Sequence, residues 1–486
     1  MTTAGWEGFR RTGHELVAPQ DATVVAKLKA AGAIIVGHGN MPDLANSDTN
    51  RGSSFGRTGN AYDVRFSPSG SSGGVVTAVA ANMAVLGSGT DTGNSIRMPA
   101  ATSALVGVYP TRGLVSIAGI APLDWLLDNT GPIARTATNA AIALAVMGGE
   151  DPLDPRTVGS QGSTQRVPFA PKLWAGALKG KRFGVPALVL AGDGIPFHGI
   201  PAGVPEAEAE KLRAAANMRL RPETREMFMK AVEALRAAGA VVIFGDSILP
   251  ANFAKTASRI ATYAYMQDGT NHFLAAFGPV EYHSAADYLK VVGAPLYASS
   301  IGAEDAFRNL GGVRIDQRTL DTDPDAERSY HSPRRVTLAA YFEPLDRLKL
   351  DGYVYPAIQM PRPNETMPQF DGLKLELQAV ALHLSWAGSG HETPPVVRWK
   401  CLLHRGRFPV GCECSLGCPA PCPTVAQVLV PQNAGRHRSP WPPRCREAAQ
   451  PIACRTGRNL LTCRAASPRA RSPAGHTSGR PRAMSR

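Results

Sequence analysis

The chain has 486 residues, of which 44% are hydrophobic and 19% are charged. This composition excludes a fibrous or largely disordered protein and supplies enough apolar residues for the core of one large domain or two ordinary ones. No run approaches 18 consecutive apolar residues, so we expect no transmembrane helix. The first residues lack the basic and apolar regions of a signal peptide, and we therefore expect a cytoplasmic protein.

The net charge of +13 is concentrated at the C-terminus. Residues 397–486 contain 15 Arg, one Lys, two Glu and no Asp, a net charge of +14, whereas the first 396 residues carry 36 basic and 37 acidic side chains. The basic charge therefore gives no reason to assign nucleic-acid binding to the body of the chain. All eight cysteines also lie in this tail, at positions 401, 412, 414, 418, 422, 445, 454 and 463.

The body of the chain has the pattern of an α/β protein. Asp21 is predicted to cap a first helix that Gly32 ends, and a second helix is predicted over residues 222–238. Short apolar strands are predicted over residues 33–37, 181–185, 240–244 and 352–355. Helices that alternate with such strands favour a largely parallel sheet covered on both faces. Residues 192–205 are predicted to be a surface loop.

The most informative stretch, residues 67–100, reads SPSGSSGGVVTAVAANMAVLGSGTDTGNSIRMPA. Two Gly/Ser loops flank an apolar, helix-like segment, Val75–Ala84. A phosphate-binding loop is excluded because its Lys is absent, and the dinucleotide-binding pattern G-x-G-x-x-G is also missing. Residues 70–74 match the G-x-S-x-G nucleophile elbow, but this short pattern leaves the second loop unexplained.

The two loops together resemble the amidase signature family, whose members are serine hydrolases with a Ser–cis-Ser–Lys triad. The family pattern is G-G-S-S-G-G followed by G-T-D-x-G-G-S-I-R-x-P-A, and this chain has S-G-S-S-G-G and G-T-D-T-G-N-S-I-R-M-P-A. The resemblance extends from about residue 2 to residue 369. It implies an α/β/α sandwich around a mixed, largely parallel sheet, incomplete at both ends.

The resemblance also implies the roles of individual residues. Ser95 corresponds to the nucleophile that forms the acyl-enzyme, and Ser71 to the relay serine whose peptide bond is cis. The family hydrolyses carboxamides without a metal or an organic cofactor. A Ser hydroxyl is a weak nucleophile, so the reaction needs a base that activates it. The implied oxyanion hole consists of the amides of Thr92, Gly93, Asn94 and Ser95. Supporting positions are Ser72, which stabilises the loop, and Asp91 and Arg97, which brace it.

Two departures from the pattern fall within these loops. Ser69 and Asn94 each stand where the family has Gly. Asn tolerates a positive φ better than most residues, so Asn94 is expected to preserve the loop while its side chain narrows the acyl pocket.

A third departure concerns the general base. The family's catalytic Lys lies in a V/I-K-D strand, and the corresponding position is ahead of Met1. Lys27 and Lys29 lie on the first predicted helix, do not match this position and are interpreted as surface charges. His38 is interpreted as a structural residue. As written, the chain is therefore expected to lack the general-base Lys.

The domain prediction divides the chain at residue 372. Residues 1–372 form a partial amidase-signature domain, with its core at 21–150 and a variable middle at about 176–350. Residues 373–486 form a basic tail rich in Cys, Pro and Arg that is expected to be disordered or the product of a frameshift. Two alternatives for the tail stay open. One is a zinc or other soft-metal site, although the cysteine spacing is not the usual C-x2-C; the other is a nucleic-acid-binding tail, although it has few aromatic residues for stacking.

Three functions are compatible with these features. The first is a stand-alone amidase that acts on a small-molecule amide. It is expected to have no membrane or nucleic-acid partner, and a homodimer is compatible with this function. The second is the amidase subunit of an aminoacyl-tRNA amidotransferase, although the diverged middle region favours a stand-alone enzyme. The third is a catalytically inactive amidase fragment.

Overall fold

The structure is a computed structural model in which the strands form three separate sheets. It describes residues 18–46, 50–52, 54–160, 176–191, 204–215, 220–245, 247–250, 252–293, 296, 316–358, 396–399 and 426–431. The strands are β1 (Arg51–Gly52), β2 (Gly56–Arg57), β3 (Leu86–Asp91), β4 (Val106–Gly107), β5 (Asn129–Ala134), β6 (Arg182–Pro186), β7 (Val241–Gly245), β8 (Gly352–Pro356), β9 (Val396–Trp399) and β10 (Ala426–Pro431). Their orders are β1-β2, β3-β5-β4 and β7-β6-β8-β10-β9.

Helices connect the strands and cover them. The α-helices are α1 (Thr23–Ala30), α2 (Gly73–Ala80), α3 (Arg97–Thr102), α4 (Ala137–Met147), α5 (Ala187–Ala191), α6 (Glu206–Ala215), α7 (Pro222–Ala237), α8 (Phe253–Ala257), α9 (Met266–Phe277), α10 (Ala285–Val292) and α11 (Ser332–Arg347). Short 3₁₀ turns lie at Asp43–Ala45, Pro155–Thr157, Tyr263–Tyr265 and Leu320–Thr322, and a π turn at Glu327–His331 leads into α11. Within the described ranges no helix has the length and apolar character needed to cross a membrane.

The parallel part of the fold consists of β6, β7 and β8, the three strands predicted beyond residue 180. Strand β6 pairs in parallel with β7 on one side and with β8 on the other. Because side chains alternate across a strand, Val354 packs with Phe228 of α7 on one face. Tyr353 packs with Tyr341 of α11 on the other face. The α/β class and the helices on both faces of this sheet are confirmed.

The loops of the signature stretch are carried by a second, antiparallel sheet. Strand β3 pairs with β5 from Leu86 opposite Ala134 to Asp91 opposite Asn129, and β4 pairs with the other edge of β5. Helix α2 packs on this sheet through Val76 and Val79, which share one buried cluster with Ile96. The sheet therefore fixes where β3 ends and where the following loop begins.

Two predictions for the N-terminal part are wrong. Residues 33–37 form no strand, because the described chain offers this segment no strand partner; Ile34 is 87% exposed and Val36 is 74% exposed. Asp21 does not cap α1: the N-cap residue is Ala22, which makes no capping side-chain bond. The Asp21 carboxylate instead pairs with Lys29 at 2.7 Å.

The other predicted elements of the body are close to the observed ones. Helix α1 is present, and Gly32 follows it with a φ of +88°. Helix α7 begins at Pro222 as predicted and ends one residue earlier than expected. The predicted loop at 192–205 lies outside the described residues except for its last two positions.

The tail contributes two strands that the sequence does not predict. Strand β10 pairs antiparallel with β8 through Ala426 opposite Pro356, and β9 pairs antiparallel with β10. The rest of residues 373–486 lies outside the described part of the chain, as do the cysteines considered as metal ligands.

Candidate active site

The two predicted loops lie side by side, one before α2 and the other between β3 and α3. The backbone amide of Ser72 donates to the carbonyl oxygen of Ser95 at 3.2 Å. The Ser72 hydroxyl donates to the carbonyl oxygen of Thr90 at 3.1 Å and accepts from the Thr90 amide at 3.2 Å. These bonds bring the segment that contains Ser71 beside the segment that contains Ser95.

Ser71 occupies the centre of this contact. Its peptide bond with Gly70 is cis, which is the conformation that the family resemblance implies. The side chain is fully buried, and within the described residues its Oγ makes no hydrogen bond. A buried hydroxyl without a partner is rare in folded proteins, and one explanation is that it acts in a reaction.

Ser95 is buried to a similar degree and faces Asn94. It is 6% exposed, and its hydroxyl donates to Asn94 Oδ1 at 3.4 Å, a long and weak hydrogen bond. Asn94 is itself buried, at 8% exposure, and its side-chain oxygen lies beside the Ser95 hydroxyl.

The loop that carries Ser95 contains four consecutive backbone amides, those of residues 92–95. Thr92, Gly93, Asn94 and Ser95 are all buried. None of their N–H groups donates a hydrogen bond within the described part of the chain, whereas the next two amides both donate to Asp91. Buried N–H groups are nearly always paired. Four unpaired ones in sequence form a set of donors that suits a negatively charged oxygen.

A buried ion pair shapes the loop that carries these amides. Arg97 and Asp91 are joined by two hydrogen bonds of 2.8 Å, and their side chains are 1% and 0% exposed. Asp91 also accepts the amide of Ile96 at 3.0 Å, and Arg97 donates to the carbonyl oxygen of Gly93. Burial acts to lower the pKa of Arg97, but the Asp91 carboxylate outweighs this effect and the pKa is raised. The Arg97 guanidinium therefore stays charged, and its bonds to Asp91 and to the Gly93 carbonyl oxygen close the loop.

Glycine is required where the first loop meets its neighbours. A Cβ on Gly74 would overlap the backbone N and O of Asn40, and the Gly74 amide donates to that carbonyl oxygen at 3.0 Å. A Cβ on Gly89 would lie 2.8 Å from Ser72 Oγ. These close approaches explain why Gly recurs in the pattern.

The two departures from the family pattern have different structural consequences. Ser69 has a φ of +62°, a backbone conformation that favours Gly. Asn94 does not have a positive φ, so the tolerance of Asn for that conformation is not needed at this position. Its loop forms without this conformation.

The lysines of α1 do not reach the site. Lys27 donates to the carbonyl oxygens of Gly148 and Gly149 at 3.1 and 3.0 Å, and burial lowers its pKa. It is half-buried, so its interpretation as a surface charge is wrong, whereas Lys29 is an exposed partner of Asp21. His38, whose side chain is exposed, is not among the site's contacts.

Sequence reasoning missed one residue of the site, Asp128. Its carboxylate accepts a short hydrogen bond from the Thr92 hydroxyl and further bonds from the amides of Leu123 and Asp124, at 3.0 and 3.2 Å. Burial raises the pKa of Asp128 to about 6, and the nearby Asp124 adds to this effect. The signal in the sequence is a pair of acidic residues in an otherwise apolar run, L-D-W-L-L-D, just before Gly131.

No metal centre is apparent in the part of the chain that the structure describes. No three His, Cys, Asp or Glu side chains in those ranges are placed to hold an ion. The chemical groups gathered at the site are hydroxyls, backbone amides and one buried ion pair. This set suits nucleophilic attack on a polarised carbonyl group.

Comparisons with known proteins agree with this chemistry. Residues 2–191 match the family model described as Amidase. The glutamyl-tRNA(Gln) amidotransferase subunit from Rhodopirellula baltica is 44% identical over 180 residues, which cover 37% of this chain and 35% of that protein. The protein of the same name from Mycolicibacterium gilvum is 35% identical over 310 residues, which cover 60% and 57%. The chain thus spans less than two thirds of the length of these curated relatives.

Solved structures extend the similarity beyond the N-terminal half. The native peptide amidase from Stenotrophomonas maltophilia is 25% identical, with a TM-score of 0.59 over 85% of this chain and 73% of that one. An amidase family protein from Bacillus anthracis, 22% identical with a TM-score of 0.59 over 89% of this chain and 71% of that one, shares the fold.

Proposed function

We propose that the chain is an amidase, because residues 2–191 match the family model described as Amidase, and that it hydrolyses carboxamides through an acyl ester on Ser95. In the first step Ser95 Oγ attacks the carbonyl carbon while its proton passes to Ser71 Oγ, whose own proton passes to a base. The carbonyl oxygen becomes an oxyanion. The C–N bond then breaks, the leaving amine takes a proton, and water hydrolyses the ester.

The observation that carries this proposal is the row of unpaired amides at residues 92–95. A tetrahedral intermediate needs donors aimed at the oxygen on which charge develops, and losing one such donor typically costs about 3–4 kcal/mol. Here the donors are buried, consecutive and adjacent to a buried serine. The Asp91–Arg97 pair fixes the loop that carries them, through the Ile96 amide and the Gly93 carbonyl oxygen.

The proposed reaction also needs a base that accepts the proton from Ser71 Oγ. Within the described residues no amine lies within hydrogen-bond distance of Ser71 Oγ. We assign this role to no other side chain.

The function is tested by incubating the full chain with a series of small aliphatic and arylalkyl amides. We expect release of ammonia or amine, and in the presence of hydroxylamine we expect the corresponding hydroxamate, because an acyl ester is intercepted by this nucleophile. Mass spectrometry should place the acyl adduct on Ser95. Hydrolysis without hydroxamate or adduct would exclude the acyl-enzyme route, and absence of both turnover and adduct would favour an inactive fragment.

The relay role of Ser71 leads to a separate prediction. Replacing Ser71 with Ala is expected to slow labelling of Ser95 by a fluorophosphonate more than tenfold, because the Ser95 proton loses its acceptor; tenfold corresponds to about 1.4 kcal/mol. The matched control is Ser103→Ala, since Ser103 is also fully buried and its Oγ also makes no hydrogen bond in the described chain. Equal rates for the two variants would rule out the relay.

A second candidate function is the amidase subunit of an aminoacyl-tRNA amidotransferase. It is favoured by curated relatives with amidotransferase names, which are 35–47% identical over segments of 142–310 residues. In this case the chain should co-purify with further subunits and tRNA, and its hydrolysis of glutamine should depend on them. A stand-alone enzyme should act without them.

A further inference from the structure

Asp128 lies on the turn that precedes β5 and contacts the loop of the four amides through Thr92. The Thr92 hydroxyl donates to its Oδ1, which also accepts the Asp124 amide at 3.2 Å, and its Oδ2 accepts the Leu123 amide at 3.0 Å. The backbone of Asp128 donates to the carbonyl oxygen of Asp124 at 2.7 Å, so the carboxylate is part of a closed turn. Thr92 is the first of the four unpaired amides.

We propose that Asp128 is a positioning residue that holds the 92–95 amides in place through the Thr92 hydroxyl. The inference rests on the proposed function, because it explains how the amides of the proposed oxyanion hole are held in place. Asp91 and Arg97 hold the end of this loop next to α3. Among the described side chains outside this loop, Asp128 is the one that forms a hydrogen bond with a residue of the 92–95 segment, namely Thr92.

The carboxylate is suited to this task only while it is ionised. Three donors point at its two oxygens, so a proton on either oxygen would displace one of them. The charged groups around it are Asp124 on its own turn and Arg156, whose Nη1 donates to the Asp128 carbonyl oxygen at 3.4 Å. Asp124 in turn faces Tyr263, whose pKa is raised by burial and by this carboxylate. Protonation of Asp128 should therefore loosen Thr92.

Stability and reactivity should then depend on pH in opposite directions. The pKa of Asp128 is raised from 3.8 to about 6 in the folded protein, mainly by burial. Its contribution to stability is thus present below about pH 4 and is lost as the pH rises through 6. The positioning of Thr92, by contrast, requires the ionised form and improves over the same range. If Asp128 had only a structural role, stability and the reactivity of Ser95 would change in the same direction with pH.

The test compares Thr92→Val, Asp128→Asn and the double variant by two measurements. The first is hydrogen–deuterium exchange of the peptide that contains the Ile96 and Arg97 amides, which reports on the loop whether or not Ser95 is reactive. We expect faster exchange in both single variants and little further increase in the double variant, because one bond is removed in each case. Unchanged exchange, or fully additive increases, would overturn the proposal.

The second measurement is the rate of fluorophosphonate labelling of Ser95 between pH 5 and 8. Each single variant should slow labelling by about 10- to 100-fold at pH 8, and the ratio of the wild-type rate to the Asp128→Asn rate should rise as the pH passes 6. The matched control is Asp151→Asn, since Asp151 is also buried and accepts the Thr23 and Ser116 hydroxyls, each at 2.5 Å. It should leave labelling unchanged.

The two hypotheses can fail separately. If the wild-type chain is not labelled while loop exchange depends on Thr92 and Asp128 as expected, the proposed reaction is wrong and the positioning contact stands. If labelling of the wild type is rapid and neither variant slows it, Asp128 has no part in the reaction.

Discussion

Replacement of Ser95 by Ala is expected to abolish amide hydrolysis and fluorophosphonate labelling, with a loss of about 10⁴-fold or more. This is the magnitude found when the nucleophile of a catalytic triad is removed, because the remaining groups then accelerate only direct attack by water. The measurement is the release of ammonia from a substrate of the wild type, together with the intact mass of the protein after exposure to the probe.

The control for this prediction is Ser88→Ala on the neighbouring strand β3. The Ser88 hydroxyl lies 3.1 Å from the Thr130 hydroxyl, outside the loop that carries the nucleophile. This variant should retain activity and labelling. A Ser95→Ala protein that is still labelled, or still hydrolyses the amide at a tenth of the wild-type rate, would show that another residue is the nucleophile.

The second large effect is expected from Asp91→Asn. This change leaves Arg97 buried, at 1% exposure of its side chain, without its carboxylate partner. Breaking a buried pair by removing one member typically costs about 3–5 kcal/mol, since an uncompensated charge stays in the interior. The free energy of unfolding should therefore fall by that amount, as measured by denaturant titration.

Two further variants make this prediction specific to the unpaired charge. In Asp91→Asn combined with Arg97→Met no charge is left buried, so the double variant should be less destabilised than Asp91→Asn alone. Asp63→Asn breaks an exposed pair with Arg65, whose 2.7 Å length is close to the 2.8 Å of the buried pair, and should have little effect. If the double variant is the least stable of the three, the cost comes from lost hydrogen bonds and packing instead.

The local sequence was sufficient for the parts of the site whose residue types have one dominant physical explanation. Gly74 and Gly89 occur where a Cβ would overlap a neighbour, and Asp91 and Arg97 are opposite charges six residues apart on one loop. The helix over 222–237 and the strands at 182–186, 241–245 and 352–356 also follow from periodicity, because each has an apolar face that must be buried.

Other features depended on contacts between distant segments, which only the tertiary structure decides. The apolar run at residues 33–37 satisfies every local criterion for a strand, yet a strand requires a partner, and in the described chain this run has none. Asp21 precedes the N-cap residue Ala22, and its carboxylate pairs with Lys29 instead of with the first turn of the helix. Asp128 acquires its importance from Thr92, 36 residues away. Hydrogen bonds of this kind depend on which loops the fold brings together, so the acidic residues in the run before β5 mark Asp128 as unusual but do not identify Thr92 as its partner.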